Sequence, residues 1–367
     1  MNFGFSEEQE MLRDQVRRFM QEDLGLPQVK ALTKASTGFD PALWQKAASL
    51  GWLGLTIPEK FGGLGLSWVD LTVLLEEAGR GLSPLPFVSH ALTIEAILAV
   101  CGKAQKEMWL SAMAQGQAIC TTALYDEPNW IHPDAITLKG VRESGGVRIN
   151  GSKHFVSDAC AADYFMVAIR IEKQLAMVAV GKEQVSVKAQ PQMDATKPSG
   201  SVTFNNVLID DSMVFKLSRK QLDFLTNCGA VAVTAEAVGA AEAAHKLTVN
   251  YANQRVQFDN LIGKYQGVKH RLADMYVDIE SFKSLLYYAA WAVNQSPAEL
   301  PRAISLAKGY AADAFAQIGI DVVGLHGAIG FTAEYDAQLY LKRSKWVRPA
   351  FGDSDFHLQR VATLGGV

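Results

Sequence analysis

Residues Phe224 to Val256 read FLTNCGAVAVTAEAVGAAEAAHKLTVNYANQRV. The stretch predicts one long helix rich in small residues. Alanine and glycine on a helix surface let neighbouring helices approach closely, so this is the central helix of a bundle. Gln266 to Trp291 and Leu300 to Gly324 predict two more long helices, and a four-helix bundle over residues 216–367 is the arrangement they imply.

Upstream the character changes. Between residues 119 and 215, β-branched and aromatic runs alternate with turn residues: ICTTALY, ITLKGV, VRINGSKHFV, YFMVAIR, LAMVAV, VSVKAQ and SVTFNNVLI. These predict an all-β domain, a small barrel or sandwich, with a hairpin turn at Asn150-Gly151. Residues 1–118 are helical again. Ser6 before Glu7, Glu8 and Gln9 is an N-cap signature, and Asp40-Pro41 opens a helix with proline at its first position. Leu71 to Ala78 and Leu92 to Val100 predict further helices, joined by the Gly-rich TIPEKFGGLGLS. The expected class is therefore α+β, with domains 1–118, 119–215 and 216–367 in the order helical, β, helical.

Composition narrows the function. The 367 residues carry 35 basic and 38 acidic side chains, a net charge of −3. That balance gives no reason to expect a nucleic acid or an anionic membrane as partner. Four cysteines, Cys101, Cys120, Cys160 and Cys228, lie far apart without a CxxC pair, so neither structural zinc nor a disulfide scaffold is expected. The amphipathic start does not resemble a signal peptide, and no apolar run approaches the ~20 residues of a membrane span. A reducing, cytoplasmic setting follows as the expectation.

Several constellations remain open from spacing alone. Gly62-Gly63-Leu64-Gly65 and the run from Gly324 to Gly330 are not GxGxxG after a strand, so no Rossmann site is supported. Arg255-Val256-Gln257-Phe258 closes the long helix. The Arg there suits either a phosphate or the helix's last carbonyls, and Phe258 suits a planar ring. Lys342-Arg343-Ser344-Lys345 reads as a solvated basic face. No metal-ligand spacing and no GxSxG elbow are present. Tyr287, Trp291 and Trp346 read as core before pocket.

The full-length pattern resembles the acyl-CoA dehydrogenase family of flavoproteins. The resemblance rests on FSEEQEMLRDQVRRFM, LGWLGLTIPEKFGGLGLSWVDLTVLLEEAGR, NGSKHFVSDACAADYFMVAIR, NYANQRVQFDNLIGKYQGVKHRLADM and GLHGAIGFTAEYDAQLYLKRSKW, in that order. It implies an oligomeric, FAD-containing oxidoreductase that desaturates an acyl-CoA, with an electron-transfer flavoprotein as acceptor. A carboxylate base removes the α proton while the β hydrogen leaves as hydride. Residue by residue it implies that Phe155 and Ser157 face the flavin. Tyr125 and Asp126 begin the flavin-contacting segment. Arg255, Gln257 and Phe258 meet the pyrophosphate and adenosine across a subunit boundary, Gln266 contacts FAD, and Gly324 and Gly327 belong to the Gly-rich FAD loop.

Departures from the family pattern bear on the chemistry. The segment Asp126 to His132 lacks the family's glycines, and an Asp beside the flavin would disfavour the anionic reduced form. The usual base position, counted from Tyr335, is Phe351. The alternative position on the long helix, counted back from Arg255, is Gly229. Asp353 or Glu236 serves as base, a homologous partner chain in a heteromer supplies it, or catalysis is lost. Against a catalytic role, Asp353 suits a helix N-cap and Glu236 a structural hydrogen bond.

Overall fold

The computed structural model describes residues 4–35, 37–126 and 131–366. Six helices come first: α1 (Glu7–Glu22), α2 (Leu26–Leu32), α3 (Pro41–Ser49), α4 (Trp68–Arg80), α5 (Phe87–Val100) and α6 (Lys103–Ala114). Eight strands follow: β1 (Cys120–Ala123), β2 (Lys139–Glu143), β3 (Gly146–Ser157), β4 (Tyr164–Ile171), β5 (Gln174–Gly181), β6 (Ser186–Gln190), β7 (Ser199–Asp210) and β8 (Val214–Lys216). The helix α7 (Arg219–Ala252) comes next. A short hairpin of β9 (Val256–Gln257) and β10 (Asn260–Leu261) leads to α8 (Gln266–Gln295), α9 (Leu300–His326), α10 (Ala337–Val347) and α11 (Ser354–Gly365). The order helical, β, helical is the expected one. By contacts the chain groups into two compact units, Met1–Leu26 with Thr72–Ser83 and Ala230–Val367, and Pro27–Leu71 with Pro84–Gly229.

In the second unit the eight strands form one sheet in the order β6-β7-β3-β2-β4-β5-β8, with β1 also pairing β4. β1 and β2 both run parallel to β4, at Tyr164–Val167 and Arg170–Ile171, and the other pairings are antiparallel. Val147, Ile149, Phe165, Val178 and Phe204 fill its core. Each such side chain contributes about 2 kcal/mol when removed from water. The hairpin expected at Asn150-Gly151 is not there. Gly151, at φ +142°, lies inside β3 where the register against β7 slips, and the turn comes earlier, at Gly145 with φ +84°. The glycine supplies a bulge, not a turn.

In the first unit, the N-cap at Ser6 closes as expected. Its hydroxyl accepts from Gln9 N at 3.3 Å, and Gln9 Oε1 accepts from Ser6 N at 2.9 Å. In the second unit, Asp40 caps α3 through Ala42 N at 2.8 Å. The helices α4 and α7 cross in the first unit at two glycines. A Cβ on Gly239 would stand 1.7 Å from Glu76 O, and one on Gly79 would stand 2.1 Å from Glu236 O. The bundle side holds three long helices with two shorter ones, α10 and α11.

Three expectations need correction. The long helix ends at Ala252, not Val256, so Arg255 lies beyond it. Arg343 and Ser344 are fully buried, so the basic cluster on α10 is not one solvated face. Trp291 is 44% exposed and stacks on Tyr288 outside the core. In addition, α7 and the stretch Leu300–Phe331 are long and apolar enough to cross a membrane by length and composition. An uninterrupted apolar run was the wrong criterion, because alanine and the branched aliphatics carry these helices past the threshold despite interspersed polar residues. The most apolar window of α7 is 94% buried within the protein, and that of Leu300–Phe331 is 44% buried.

Candidate active site

The expected site residues fall into two groups, one in each unit. In the β unit, Lys153 on β3 is fully buried. Its Nζ donates to Leu124 O at 3.1 Å and pairs with Asp126 Oδ1. The other Asp126 oxygen accepts from Thr137 N and Oγ1 and from Leu138 N at 2.9 Å. Burial raises the Asp126 pKa, but Lys153 and the hydrogen bonds from Thr137 outweigh it, and the net shift is downward. Burial pulls the Lys153 ammonium down to about 8 against the attraction of Asp126. The carboxylate expected to disfavour a reduced flavin is therefore neutralised by its own partner. It ties the end of β1 to the approach to β2. Glu127 to Trp130 lie outside the described residues.

Tyr125 Oη lies 2.7 Å from Thr226 Oγ1 on α7. Phe155 sits at the second register slip of β3 with φ +52° and is 44% exposed, its N–H donating to Gln190 Oε1 at 2.6 Å. Left-handed backbone is uncommon for a residue with a Cβ, and here it turns an aromatic ring outward. Ser157 ends the strand opposite Ser199, and its carbonyl accepts from Thr121 Oγ1 at 2.7 Å.

In the other unit, Arg255 leads into the hairpin of β9 and β10. The two-residue turn Phe258-Asp259 has φ +49° and +60°, the conformation of a type I′ turn. Asn-Gly is the sequence that turn favours, so a Phe there is strained, and its ring is 87% exposed. Arg255 is exposed and pairs with no carboxylate among the described residues. Tyr265 Oη donates to Gln257 O at 2.9 Å, which ties the hairpin to Gln266 at the start of α8. Tyr251 Oη donates to His326 O at 3.4 Å, linking the end of α7 to the last turn of α9. Gly324 and Gly327 are exposed with open space where a Cβ would stand, and only Gly327, at φ +63°, needs glycine for its backbone.

Both candidate bases are occupied. Asp353 is exposed and caps α11, its Oδ1 accepting from Phe356 N at 3.0 Å. Glu236 is fully buried, with Oε2 3.5 Å from Arg343 Nη1, itself fully buried. Phe351 has φ +55° in the loop before Asp353.

A cavity of about 570 Å³ opens in the β unit at the start of α7. Asp134, Arg170, Lys173, Lys216, Arg219 and Gln221 line it. Asp134 Oδ1 stands 3.3 Å from Arg219 Nη2 and 3.8 Å from Arg170 Nη2, while Lys173 and Lys216 make no ion pair among the described residues. Four cations thus face one carboxylate at a helix N-terminus, where the backbone already carries partial positive charge.

Glu95 on α5 belongs to none of the motifs the sequence offers. Its Oε1 accepts from Trp68 Nε1 at 2.8 Å, and it pairs with no cation among the described residues. Burial raises its pKa, opposed by the Trp68 hydrogen bond. Its charge reaches Cys228 on α7, whose thiol pKa is raised first by burial and then by Glu95. A lone Glu in the apolar run of α5 was the available signal.

Comparison with known proteins gives two family matches. Residues 6–117 match the N-terminal domain of acyl-CoA dehydrogenases, and residues 223–364 match their C-terminal domain. The chain is 29% identical over 359 residues to "Acyl-CoA dehydrogenase IpdE2" of Mycolicibacterium smegmatis, covering 97% of this chain and 98% of that protein. It is also 29% identical to "Benzylmalonyl-CoA dehydrogenase" of Aromatoleum aromaticum, covering 97% of each. Among solved structures, the ChsE4-ChsE5 complex from Mycobacterium tuberculosis superposes with a TM-score of 0.92 at 25% identity, covering 100% of this chain and 99% of that one.

Proposed function

The chain belongs to the acyl-CoA dehydrogenase family, and from that premise we propose that it is one subunit of a paired, FAD-dependent acyl-CoA dehydrogenase whose catalytic carboxylate comes from a homologous chain. The observation that carries this reading is the state of its own acids. Phe351 stands at the expected base position, Asp353 is spent as an N-cap, and Glu236 is held against Arg343.

Acyl-CoA dehydrogenases are FAD flavoproteins. The residues of this chain fit that group. A strained, 87% exposed Phe258 beside an unpaired Arg255 is costly for the fold and suits a planar ring next to a phosphate. Phe155 and Ser157 would border the flavin ring. Arg255, Gln257, Phe258, Gln266, Gly324 in the last turn of α9 and Gly327 at its C-cap would hold the remainder. When bound, FAD accepts the hydride from the acyl β carbon. Lys153 and Asp126 keep the segment after β1 in place and add no net charge to it.

The basic cavity at the start of α7 suits the phosphates of coenzyme A, because Arg219 and Lys216 crowd a helix N-terminus that an anion would relieve. An electron-transfer flavoprotein is the acceptor this reading implies. The pairing is supported by similarity to the ChsE4-ChsE5 complex. The test is expression alone and with a homologous chain, reading flavin content and anaerobic bleaching by an acyl-CoA. Flavin and bleaching acquired only on co-expression support the pairing, and full bleaching by the isolated chain refutes it.

A second reading keeps the base within this chain. Glu95 has no cationic partner among the described residues, has a raised pKa, and approaches α7 at Cys228, next to Gly229. On this reading Glu95→Gln abolishes bleaching by the isolated chain while leaving its flavin content intact.

A further inference from the structure

Beneath the loop that joins α10 to α11 lie three polar side chains from two helices. Lys308 on α9 is fully buried, and its Nζ donates to Gly352 O at 2.7 Å and Arg348 O at 3.1 Å. His357 on α11 is also fully buried. Its Nε2 is 3.0 Å from Phe351 O and its Nδ1 is 3.3 Å from Ser305 Oγ. A neutral ring with the proton on Nε2 donates to Phe351 O and accepts from the Ser305 hydroxyl. Burial, and then the charge of Lys308, push the His357 pKa down to about 3, which agrees with a neutral ring. Three backbone carbonyls of this loop, at Arg348, Phe351 and Gly352, thus have donors from below.

We propose that Lys308 and His357 are positioning residues, a bracket that fixes the backbone of residues 348–352 and so holds the side chain at position 351 in one place. Phe351 has φ +55°, which a residue with a Cβ keeps only where its surroundings over-determine it. Gly352 has φ +105°, and a Cβ there would lie 2.5 Å from Phe356 Cδ1 and 2.7 Å from His357 Nε2. The helices beneath are themselves tight, since a Cβ on Gly309 would meet His357 Cβ at 3.2 Å. The Asp353 cap fixes the far end of the loop, and Arg348 Nε bonds Asp313 Oδ1 at 2.9 Å on the near end. Nothing in such a bracket is required by burial of apolar surface. Its effect is to define a position.

The catalytic consequence rests on the reading of position 351 as the vacated base position. Phe351→Glu should then give the FAD-loaded protein, alone or with its partner chain, exchange of the acyl α proton with D2O. In that background Lys308→Met should reduce the gain by about 10²-fold, the cost of displacing a reacting group by about 1 Å. His357→Leu should do the same, whereas His357→Gln, whose amide can still donate to Phe351 O, should retain most of the gain. Independently, Lys308→Met and His357→Leu in the otherwise native chain should raise hydrogen exchange at the amides of residues 351–353. Raised amide exchange without any gain from Phe351→Glu overturns the reading of position 351 and leaves the bracket standing. Unchanged amide exchange in both variants overturns the bracket.

Discussion

Replacing Glu236 separates a structural from a catalytic carboxylate. Glu236 and Arg343 are both fully buried, with Oε2 3.5 Å from Nη1. Removing one partner of such a pair leaves the other charge buried, at a cost of about 3–5 kcal/mol. Taken at the lower end of that range, Glu236→Leu costs about 3 kcal/mol. At roughly 1.3 °C per kcal/mol for a chain of this length, the melting temperature should fall by about 4 °C. Removing both charges, as Glu236→Leu with Arg343→Met, should recover most of the loss, because an apolar pair of similar volume is often neutral or better. The assay is thermal unfolding of the single, partner and double variants as a cycle, with acyl-CoA bleaching at a temperature where all are folded. A coupling energy of about 2 kcal/mol or more with bleaching retained in the double variant supports the structural role. Unchanged melting in Glu236→Gln with bleaching abolished would refute it and make Glu236 the base.

Other expectations concern the crossing, the cofactor face and pH. Gly239→Ala should destabilise by about 1–3 kcal/mol or more, since its Cβ would meet Glu76 O at 1.7 Å, and a melting point equal to the parent's would contradict that contact. Arg255→Ala should lower FAD occupancy on dialysis with no loss of melting temperature in the flavin-free protein; equal occupancy would remove Arg255 from the cofactor site. Lys308 has a folded pKa lowered to about 7 by burial, against 10.5 for an ordinary lysine. Between those values the unfolded chain binds more protons, so its contribution rises with pH from about 7 to 10.5. The stability difference between the parent and Lys308→Met should shift in the parent's favour across that window in urea titrations, and a flat difference would contradict the burial of the amine.

The long helices, their order and the strand-rich middle were legible because alanine content and β-branched runs are local signals. Contacts set by distant residues were not. Asn150-Gly151 has the composition of a hairpin turn, yet β7 pairs along the whole of β3 and turns the glycine into a bulge. Arg343 sits in a basic run that reads as solvated, but Glu236, 107 residues earlier, draws it inside. Arg13 and Arg17 of α1 look like the polar face of an amphipathic helix. Their carboxylate partners, Glu76 at 2.8 Å and Glu77 at 2.7 Å, are buried on α4. The residues proposed to face the cofactor were named from resemblance and motif spacing. What spacing lacked was their strain, visible only in the positive φ of Phe155 and Phe258.

The abundance of acids turns out to be a poor guide to a base, for a reason visible in the pairings. Carboxylates buried on α4 and α7 must be paired, because an isolated buried charge costs far more than a hydrogen bond returns. Glu76 takes Arg13, Glu77 takes Arg17 and Arg80, Glu242 takes Arg80 and Lys283, and Glu236 takes Arg343. All of these pairs except Glu77–Arg80, which lies within α4, fix one helix against another, and a carboxylate so fixed cannot also move a proton to and from a substrate without releasing its partner. A general base needs the opposite environment, a carboxyl that is desolvated but not neutralised by a cation. Among the described residues Glu95 meets that condition, and on the reading proposed above Phe351 stands where such an acid would be. The contest between a partner's carboxylate and Glu95 therefore turns on a single comparison, bleaching by the isolated chain before and after Glu95→Gln.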